Sequence, residues 1–216
     1  MRRAAKRLDV DKKTIARRLS YLAKKARMSH EGYLLKLRSS KIMEMQFDDL
    51  ISIEHTKLKP LSITLSVEKH TRKILGAEVS SMPAFGHLAK KAVKKYGPRL
   101  DERKKGIDNL LKKIKHVLND NITIETDEHK LYPPAIRKYF PKANHISYLG
   151  GRSCIAGQGE LKKKVFDPLF SLNHTCAMLR ANINRLFRRT WCTTKLQVKL
   201  KEHLDIYIHY HNCHLL

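Results

Sequence analysis

The chain has 216 residues, with 45 Lys and Arg against 20 Asp and Glu, and its formal net charge is +25 at pH 7. A charge of this size favours a polyanionic partner, because each Lys or Arg that neutralises a phosphate releases condensed counterions. The hydrophobic fraction of 42% excludes a wholly disordered chain, and no run of about 18 apolar residues predicts a membrane span.

The N-terminus and the cysteines favour a reducing cytoplasm. The first residues, MRRAAKRLDVDKK, lack the apolar stretch of a secretory signal. No C-x-x-C motif occurs among the four widely spaced cysteines, which are Cys154, Cys176, Cys192 and Cys213. We therefore expect a cytoplasmic protein with free thiols, and neither a disulfide framework nor a zinc finger.

Residues 1–30 are predicted to form a helix-turn-helix segment, with a turn at residues 9–11 and a second helix from Lys12. The apolar residues that this unit would bring together are Ala5, Leu8, Val10, Ile15, Leu19 and Leu22. In such a unit the second helix enters the major groove of DNA. Its exposed side would carry the candidate DNA-binding residues Lys12, Lys13, Thr14, Arg17 and Arg18. The alternative is a generic basic amphipathic hairpin, and the abrupt start at Met1 leaves open a longer natural N-terminus.

After a predicted linker at residues 31–41, the hydrophobic pattern changes to that of strands. Residues 41–55 alternate between apolar and polar side chains, which predicts a half-buried strand. The apolar positions are Met43, Met45, Phe47, Ile51 and Ile53. Residues 60–71 and 73–81 predict two further strands that are joined by a charged hairpin turn.

The remaining elements predict an α/β domain that spans residues 42–216. A basic helical stretch from Gly86 to Leu118, broken at YGPR, precedes a strand that ends at Asp127. A short helix that starts at the Pro133–Pro134 pair, a fifth strand at NHISY and a helical region from about Asp167 follow. This order predicts a ribonuclease H-like arrangement, a mixed five-stranded sheet flanked by helices.

Asp48 and Asp127 are the candidate metal ligands. Phosphodiester cleavage by this fold requires two divalent ions about 3.5–4 Å apart, held by a carboxylate on the first strand and another at the end of the fourth. Mg²⁺ prefers such oxygens. Asp48 lies on the polar face of its strand, whereas Asp49 shares the parity of Phe47 and would face the core. Either acid alone is simply explained as an edge or capping carboxylate, but the pair favours metal binding.

Three segments resemble bacterial insertion-sequence transposases of the Asp-Asp-Glu type. The first and second are MQFDDLISIEHTKLKPLSITLSVEKHTRKILGAEVS and ITIETDEHKLYPPAIRKYFPKANH. The third is NHTCAMLRANINRLFRRTWCTTKLQVKLKEHLDIYIHYHN. The resemblance spans Glu44 to Asn212 and implies that Asp48 and Asp127 are the first two catalytic residues. It also implies a partner in the transposon ends and target DNA, and action as a homo-oligomer.

The third segment departs from the family pattern, because the position expected to carry Glu is Asn173. An amide offers a neutral carbonyl oxygen to a metal but no charge. Three interpretations stay open: a working Asp-Asp-Asn variant, a site completed by Glu160 from the Gly-rich loop, or an enzyme without activity. Asp167 is first interpreted as a helix cap.

Basic residues follow Asn173 on what the sequence predicts to be one helix. They are Arg180, Arg185, Arg188 and Arg189, with Asn184 among them. Arg180 is two helical turns beyond Asn173, so the two would share a face. Arg180 and Arg185 are therefore further candidate DNA-binding residues, placed to hold phosphates beside the metals.

The leading hypothesis is a transposase that cleaves and transfers DNA strands with Mg²⁺ or Mn²⁺ in the bacterial cytoplasm, associated with the nucleoid. The first alternative is a catalytically inactive DNA-binding protein, a transposase-derived repressor or remnant. A weaker alternative is a basic RNA-binding structural protein, which would not need Asp48 and Asp127 to converge.

Overall fold

The computed structural model describes residues 2–149, 167–187 and 193–216. Glu160, Arg188 and Arg189, which were singled out from the sequence, lie outside the described residues.

A mixed sheet of five strands forms the centre of the molecule. The strands are β1 (Ile42–Glu54), β2 (Thr56–Glu68), β3 (Ile74–Ser81), β4 (Leu118–Asp127) and β5 (Asn144–Tyr148). Their order in the sheet is β3-β2-β1-β4-β5. The β1–β2 and β2–β3 pairs are antiparallel, while β1–β4 and β4–β5 are parallel. The predicted α/β class, with a mixed five-stranded sheet flanked by helices, is confirmed.

Seven α-helices surround the sheet within the described residues. They are α1 (Arg2–Arg7), α2 (Lys12–Leu37), α3 (Ala89–Tyr96), α4 (Arg103–Ile114), α5 (Tyr132–Tyr139), α6 (Phe170–Asn182) and α7 (Gln197–Tyr210). The helical stretch expected before β4 is present as α3 and α4, and Pro133 and Pro134 lie in the first turn of α5, where proline is tolerated.

Both faces of the sheet are covered by apolar side chains. One core joins Met45 and Phe47 to residues of α4 and α5, and the other joins Leu50 to residues of α6 and α7. Three consecutive residues of β1, Met45 to Phe47, are therefore buried. The expectation of a half-buried strand was wrong for this stretch, because the packing of both faces overrides the alternation. Two of the expected core positions, Met43 and Ile51, are 54% and 38% exposed.

Helix α2 is longer than predicted and packs against the domain that follows it. Residues 31–37, expected as part of a linker, continue the helix. The Arg27 guanidinium lies 2.6 Å from the Asp205 carboxylate of α7, and the Ser20 hydroxyl donates to Glu202 at 2.8 Å. These contacts fix α2 to α7, so the N-terminal segment is not separated from the sheet by a free linker.

The predicted apolar contact within residues 1–30 forms only in part. Ala5 and Leu19 are buried, but Leu8, Val10 and Leu22 are 64%, 40% and 48% exposed. The short α1 covers too little of α2 to bury all six side chains. The two helices and the turn between them are present as expected, with the Asp11 side chain accepting a hydrogen bond from the backbone N–H of Lys13 at the start of α2.

The close approach of α4 to β3 depends on Gly106. A Cβ atom at this position would overlap the Ser80 hydroxyl and lie 3.3 Å from the Ser80 Cβ. We expect Gly106→Ala to lower the free energy of unfolding by about 1–3 kcal/mol, although alanine is normally the better helix former. Urea denaturation measures the change.

Gly32→Ala is the matched control, because a Cβ at Gly32 in α2 meets no atom within 4 Å. There the same substitution should raise the free energy of unfolding by about 0.5–1 kcal/mol through helix propensity alone. Equal effects of the two substitutions would contradict the tight α4–β3 packing.

Candidate active site

The strand pairing brings Asp48, in the middle of β1, close to Asp127, the last residue of β4. The parallel β1–β4 register pairs Met45 with Ile124 and Gln46 with Glu125. Asp48 and Asp127 each follow this last pair by two residues. Side chains alternate along a strand, so both aspartates share the face of Gln46 and Glu125. The sheet therefore places the two candidate residues on neighbouring strands.

The two carboxylates are close enough to interact electrostatically. Burial and the negative charge of Asp127 together raise the pKa of Asp48 to about 6. Two hydrogen bonds oppose this shift: the backbone N–H of Asp49 and the hydroxyl of Tyr132 donate to Asp48 Oδ1 at 2.6 and 2.9 Å. The shift is upward despite both donors, so desolvation and like-charge repulsion dominate at this position.

Tyr132, in the first turn of α5, contacts the pair through its hydrogen bond to Asp48. Its ring is fully buried against Phe47. Burial, together with the charges of Asp49, Asp48 and Asp127, raises the pKa of the Tyr132 hydroxyl well above its usual value, so the group stays a donor. On the other side, the backbone N–H of His129 donates to Asp127 Oδ1 at 2.9 Å. Each aspartate is thus oriented by donors from the segment after β4.

Asp49 lies beside the pair but has a separate environment. Its Oδ1 accepts a hydrogen bond of 2.6 Å from the Thr64 hydroxyl on the neighbouring strand. Burial raises the pKa of Asp49, while the hydrogen bond from Thr64 and the nearby charges of His129 and Arg103 oppose the rise. These contacts agree with the sequence argument that Asp48 and not Asp49 faces Asp127.

A buried polar cluster lies beside the pair, two residues before Asp48 on β1 and two residues before Asp127 on β4. The Gln46 amide nitrogen donates to Glu125 Oε2 and to the carbonyl of Pro168, both at 2.7 Å. Lys69 donates to Glu125 Oε1 at 2.7 Å, so the buried Glu125 charge has a cationic partner. The backbone N–H of Leu172 donates to Gln46 Oε1 at 3.0 Å, which fixes the start of α6 on β1.

Asn173 lies on the helix that runs beside the carboxylate pair. Leu172 contacts Gln46, and further along α6 the charge of Asp48 adds to burial in raising the pKa of the Cys176 thiol to about 12. The amide nitrogen of Asn173 donates to Asp167 Oδ2 at 2.9 Å, and Asp167 Oδ1 accepts from the backbone N–H of Leu169 at 3.1 Å. The N-cap of α6 is Leu169, and no side chain caps the helix, so the expectation that Asp167 is the cap was wrong: Asp167 closes the turn just before α6.

The candidate DNA-binding residues lie in two places. Lys12, Lys13, Arg17 and Arg18 are exposed at the start of α2, and Thr14 is partly exposed. Arg180 shares α6 with Asn173, as predicted. Arg185 does not, because α6 ends at Asn182 and Arg185 belongs to a separate turn, Asn184–Leu186. The expectation of one continuous arginine-bearing helix was therefore wrong.

The site offers carboxylate oxygens in the number that Mg²⁺ uses. This ion is commonly held by one or two carboxylates together with water and substrate phosphates. Within residues 2–149, 167–187 and 193–216, no group of three or more His, Cys, Asp or Glu side chains is arranged to hold a metal. Sequence reasoning missed the hydrogen bond of Tyr132 to Asp48 and the Gln46–Glu125 contact. A tyrosine five residues after Asp127 was the available signal for the first.

No protein-family model matches this chain, and no curated protein is significantly similar to it in sequence. In the part of the chain that the structure describes, no helix has the length and apolar character needed to cross a bilayer. Its function must therefore be inferred from the chemistry of the site.

Replacing Asp48 by Asn should stabilise the protein at neutral pH. An unfolded Asp titrates near pH 3.9, so the raised pKa means that ionising Asp48 costs the folded state. The cost is absent below about pH 4, grows up to about pH 6 and is fully present above it. Asn keeps the Oδ1 acceptor for Tyr132. We expect the free energy of unfolding to rise by about 1–3 kcal/mol at pH 7.5 and to change little at pH 4.

Urea denaturation without divalent ions at both pH values measures this difference. Asp120→Asn is the control, since it removes an exposed carboxylate from the other end of β4. A loss of stability in Asp48→Asn at pH 7.5, or the same change at both pH values, would contradict the cost of ionising Asp48 in the folded protein.

Proposed function

We propose that the protein is a metal-dependent DNA transposase of the Asp-Asp-Glu type, with Asn at the third catalytic position. The observation that carries the proposal is the pair Asp48 and Asp127, which interact across neighbouring strands in a chain of net charge +25. The strand order β3-β2-β1-β4-β5, with β1 and β4 parallel, supports it because a ribonuclease H-like catalytic domain has this order.

Asp48 and Asp127 would hold Mg²⁺ or Mn²⁺. The fit rests on hard oxygen donors and on a repulsion that a cation relieves. When bound, such ions polarise the phosphate and lower the pKa of an attacking water or 3′-hydroxyl. Tyr132 and the backbone of Asp49 keep Asp48 oriented, and the backbone of His129 keeps Asp127 oriented. Asn173, on the neighbouring helix α6, would contribute a neutral amide.

The cationic residues would position the DNA. Arg180, on α6, and Arg185, in the turn beside the end of β1, would hold phosphates of the bound strand. The exposed cations at the start of α2 would hold the transposon end. Because α2 is docked on α7, DNA bound there keeps a fixed position relative to the site. We propose that the enzyme acts as a homo-oligomer on chromosomal DNA in the bacterial cytoplasm.

Strand cleavage tests the catalytic assignment. A supercoiled plasmid that carries the DNA flanking the coding sequence should be nicked or joined in Mg²⁺ or Mn²⁺. Asp48→Asn and Asp127→Asn should each lower the rate by about 100-fold or more, because the positive charge that neutralises the phosphate would no longer be held. DNA affinity without metal should stay within about twofold.

The matched control for the cleavage assay is Asp120→Asn, the same substitution on β4 at an exposed position. It should cut at the wild-type rate. Wild-type cleavage by Asp48→Asn or Asp127→Asn would refute the assignment.

A catalytically inactive DNA-binding protein is the second candidate. It is favoured by Asn173, whose side chain donates to Asp167 instead of supplying a negative charge. If the wild-type protein binds DNA but does not cut it, the variant Asn173→Glu distinguishes a transposase that has lost its third acid from a protein that only binds DNA. Cleavage gained by this variant would identify a remnant transposase, whereas a variant that stays inactive would leave a DNA-binding role as the better account.

DNA binding by α2 can be tested separately from catalysis. Arg17→Ala/Arg18→Ala should weaken affinity for duplex DNA and reduce the slope of log K against log salt by roughly 2, since each phosphate contact contributes about 0.9. Lys104→Ala/Lys105→Ala removes the same charge from exposed positions of α4 and should change the slope less. Equal effects of the two double variants would show that α2 is not a specific DNA-binding surface.

A further inference from the structure

A mostly apolar cleft of about 530 Å³ opens beyond the carboxylate pair. Its walls are the end of β1 at residues 51–53, the segment 84–88 before α3, and the turn after α6 at residues 185–187. Two phenylalanine rings line it while remaining open to solvent: Phe85 is 61% exposed and Phe187 is 52% exposed. The volume lies within the range of small-molecule sites, roughly 300–1,000 Å³.

The cleft lies on the same strand and beside the same helix as the carboxylate pair. Ile51 to Ile53 follow Asp48 by three to five residues, which is roughly 10–17 Å along an extended strand. Helix α6 follows β1 in the same direction: Leu172 contacts Gln46 near its start, Cys176 lies near Asp48, and Leu186 beyond its end lines the cleft. A DNA strand that crosses the pair can therefore reach the cleft within a few nucleotides.

The charged residues that line the cleft are cationic. They are Lys57 and Arg185, and no Asp or Glu lines the cleft among the described residues. The segment 84–88 leads directly into α3, whose sequence AKKAVKKY carries four lysines. A ligand that matches these surroundings has a flat apolar ring and negative charge beside it. A nucleotide in a single strand has both, since every base has a π-face that stacks on aromatic side chains and its phosphates bind Lys and Arg.

We infer that the cleft takes one unpaired base of the DNA strand, with the ring stacked on Phe85 or Phe187 and the adjoining phosphates on Lys57 and Arg185. A paired base is stacked within the duplex and cannot enter, so the site selects frayed or single-stranded DNA. This inference deepens the proposed transposase function and rests on it for the direction of the strand. Binding of the base itself needs neither metal ions nor cleavage.

The test uses a single-stranded oligonucleotide of about 12 nucleotides that carries 2-aminopurine, in EDTA so that cleavage plays no part. Stacking on an aromatic ring should quench its fluorescence on binding. Phe85→Leu/Phe187→Leu keeps apolar side chains but removes the rings. We expect this variant to lose the quench and about tenfold or more in affinity for the single strand, while duplex affinity stays within about twofold.

Tyr21→Leu is the matched control, because it removes an aromatic ring of similar exposure, 64%, from α2 outside the cleft. It should keep the quench. Lys57→Ala should weaken affinity for the single strand without removing the quench at saturation, which separates stacking from phosphate binding. The rings are largely exposed, and thermal unfolding at the wild-type temperature should confirm that the double variant is folded.

An unchanged quench and affinity in Phe85→Leu/Phe187→Leu would overturn the inference. So would a dimer that this variant alone loses while its binding of the single strand is unaffected, because the cleft would then hold a second copy of the chain. These outcomes are independent of catalysis. If the wild-type protein never cuts DNA but Phe85→Leu/Phe187→Leu loses the quench, binding of a base in the cleft would be supported and the transposase function refuted.

Discussion

The repulsion between Asp48 and Asp127 is the constraint on which the account of this protein depends. Glu125, two residues before Asp127 on β4, is buried and neutralised by Lys69. Neither Asp48 nor Asp127 forms an ion pair among the described residues, and the pKa of Asp48 is raised to about 6. Strand β4 therefore carries Glu125, whose charge is balanced by Lys69, and Asp127, which has no such cationic partner among the described residues. In the proposed function, a bound cation would supply this balance.

The scaffold fixes this unfavourable arrangement by packing both faces of the central strand. Phe47 and Leu50 belong to opposite cores, so β1 cannot shift its register without exposing apolar side chains on one face or the other. Tyr132 is held in one of these cores and delivers its hydroxyl to Asp48. The stability of the hydrophobic cores thus offsets the electrostatic cost of holding the two carboxylates close together.

The sequence predicted the elements that have a local signal, such as alternating strands and a proline at a helix start. It did not predict the contacts between elements that are distant in the chain. The alternation of side chains along each strand singled out Asp48 and Asp127 as the candidate acids, and the proline pair predicted the start of α5. Both signals extend over only a few residues. The hydrogen bond from Tyr132 to Asp48 joins residues 84 positions apart, and no local pattern encodes it. The continuation of α2 through residues 31–37 buries Leu34 in the core that α4 and α5 share, and this contact is not encoded locally. The end of α6 before Arg185 likewise had no signal in the sequence pattern.

The most direct test of the central claim is a calorimetric titration of the metal-free protein with Mg²⁺ and Mn²⁺ at neutral pH. The account predicts saturable binding to the wild-type protein and loss of that binding in Asp48→Asn and Asp127→Asn alike, because each removes half of the charge that attracts the ion. Binding of equal affinity in the wild type and both variants, or no binding to the wild-type protein, would contradict it.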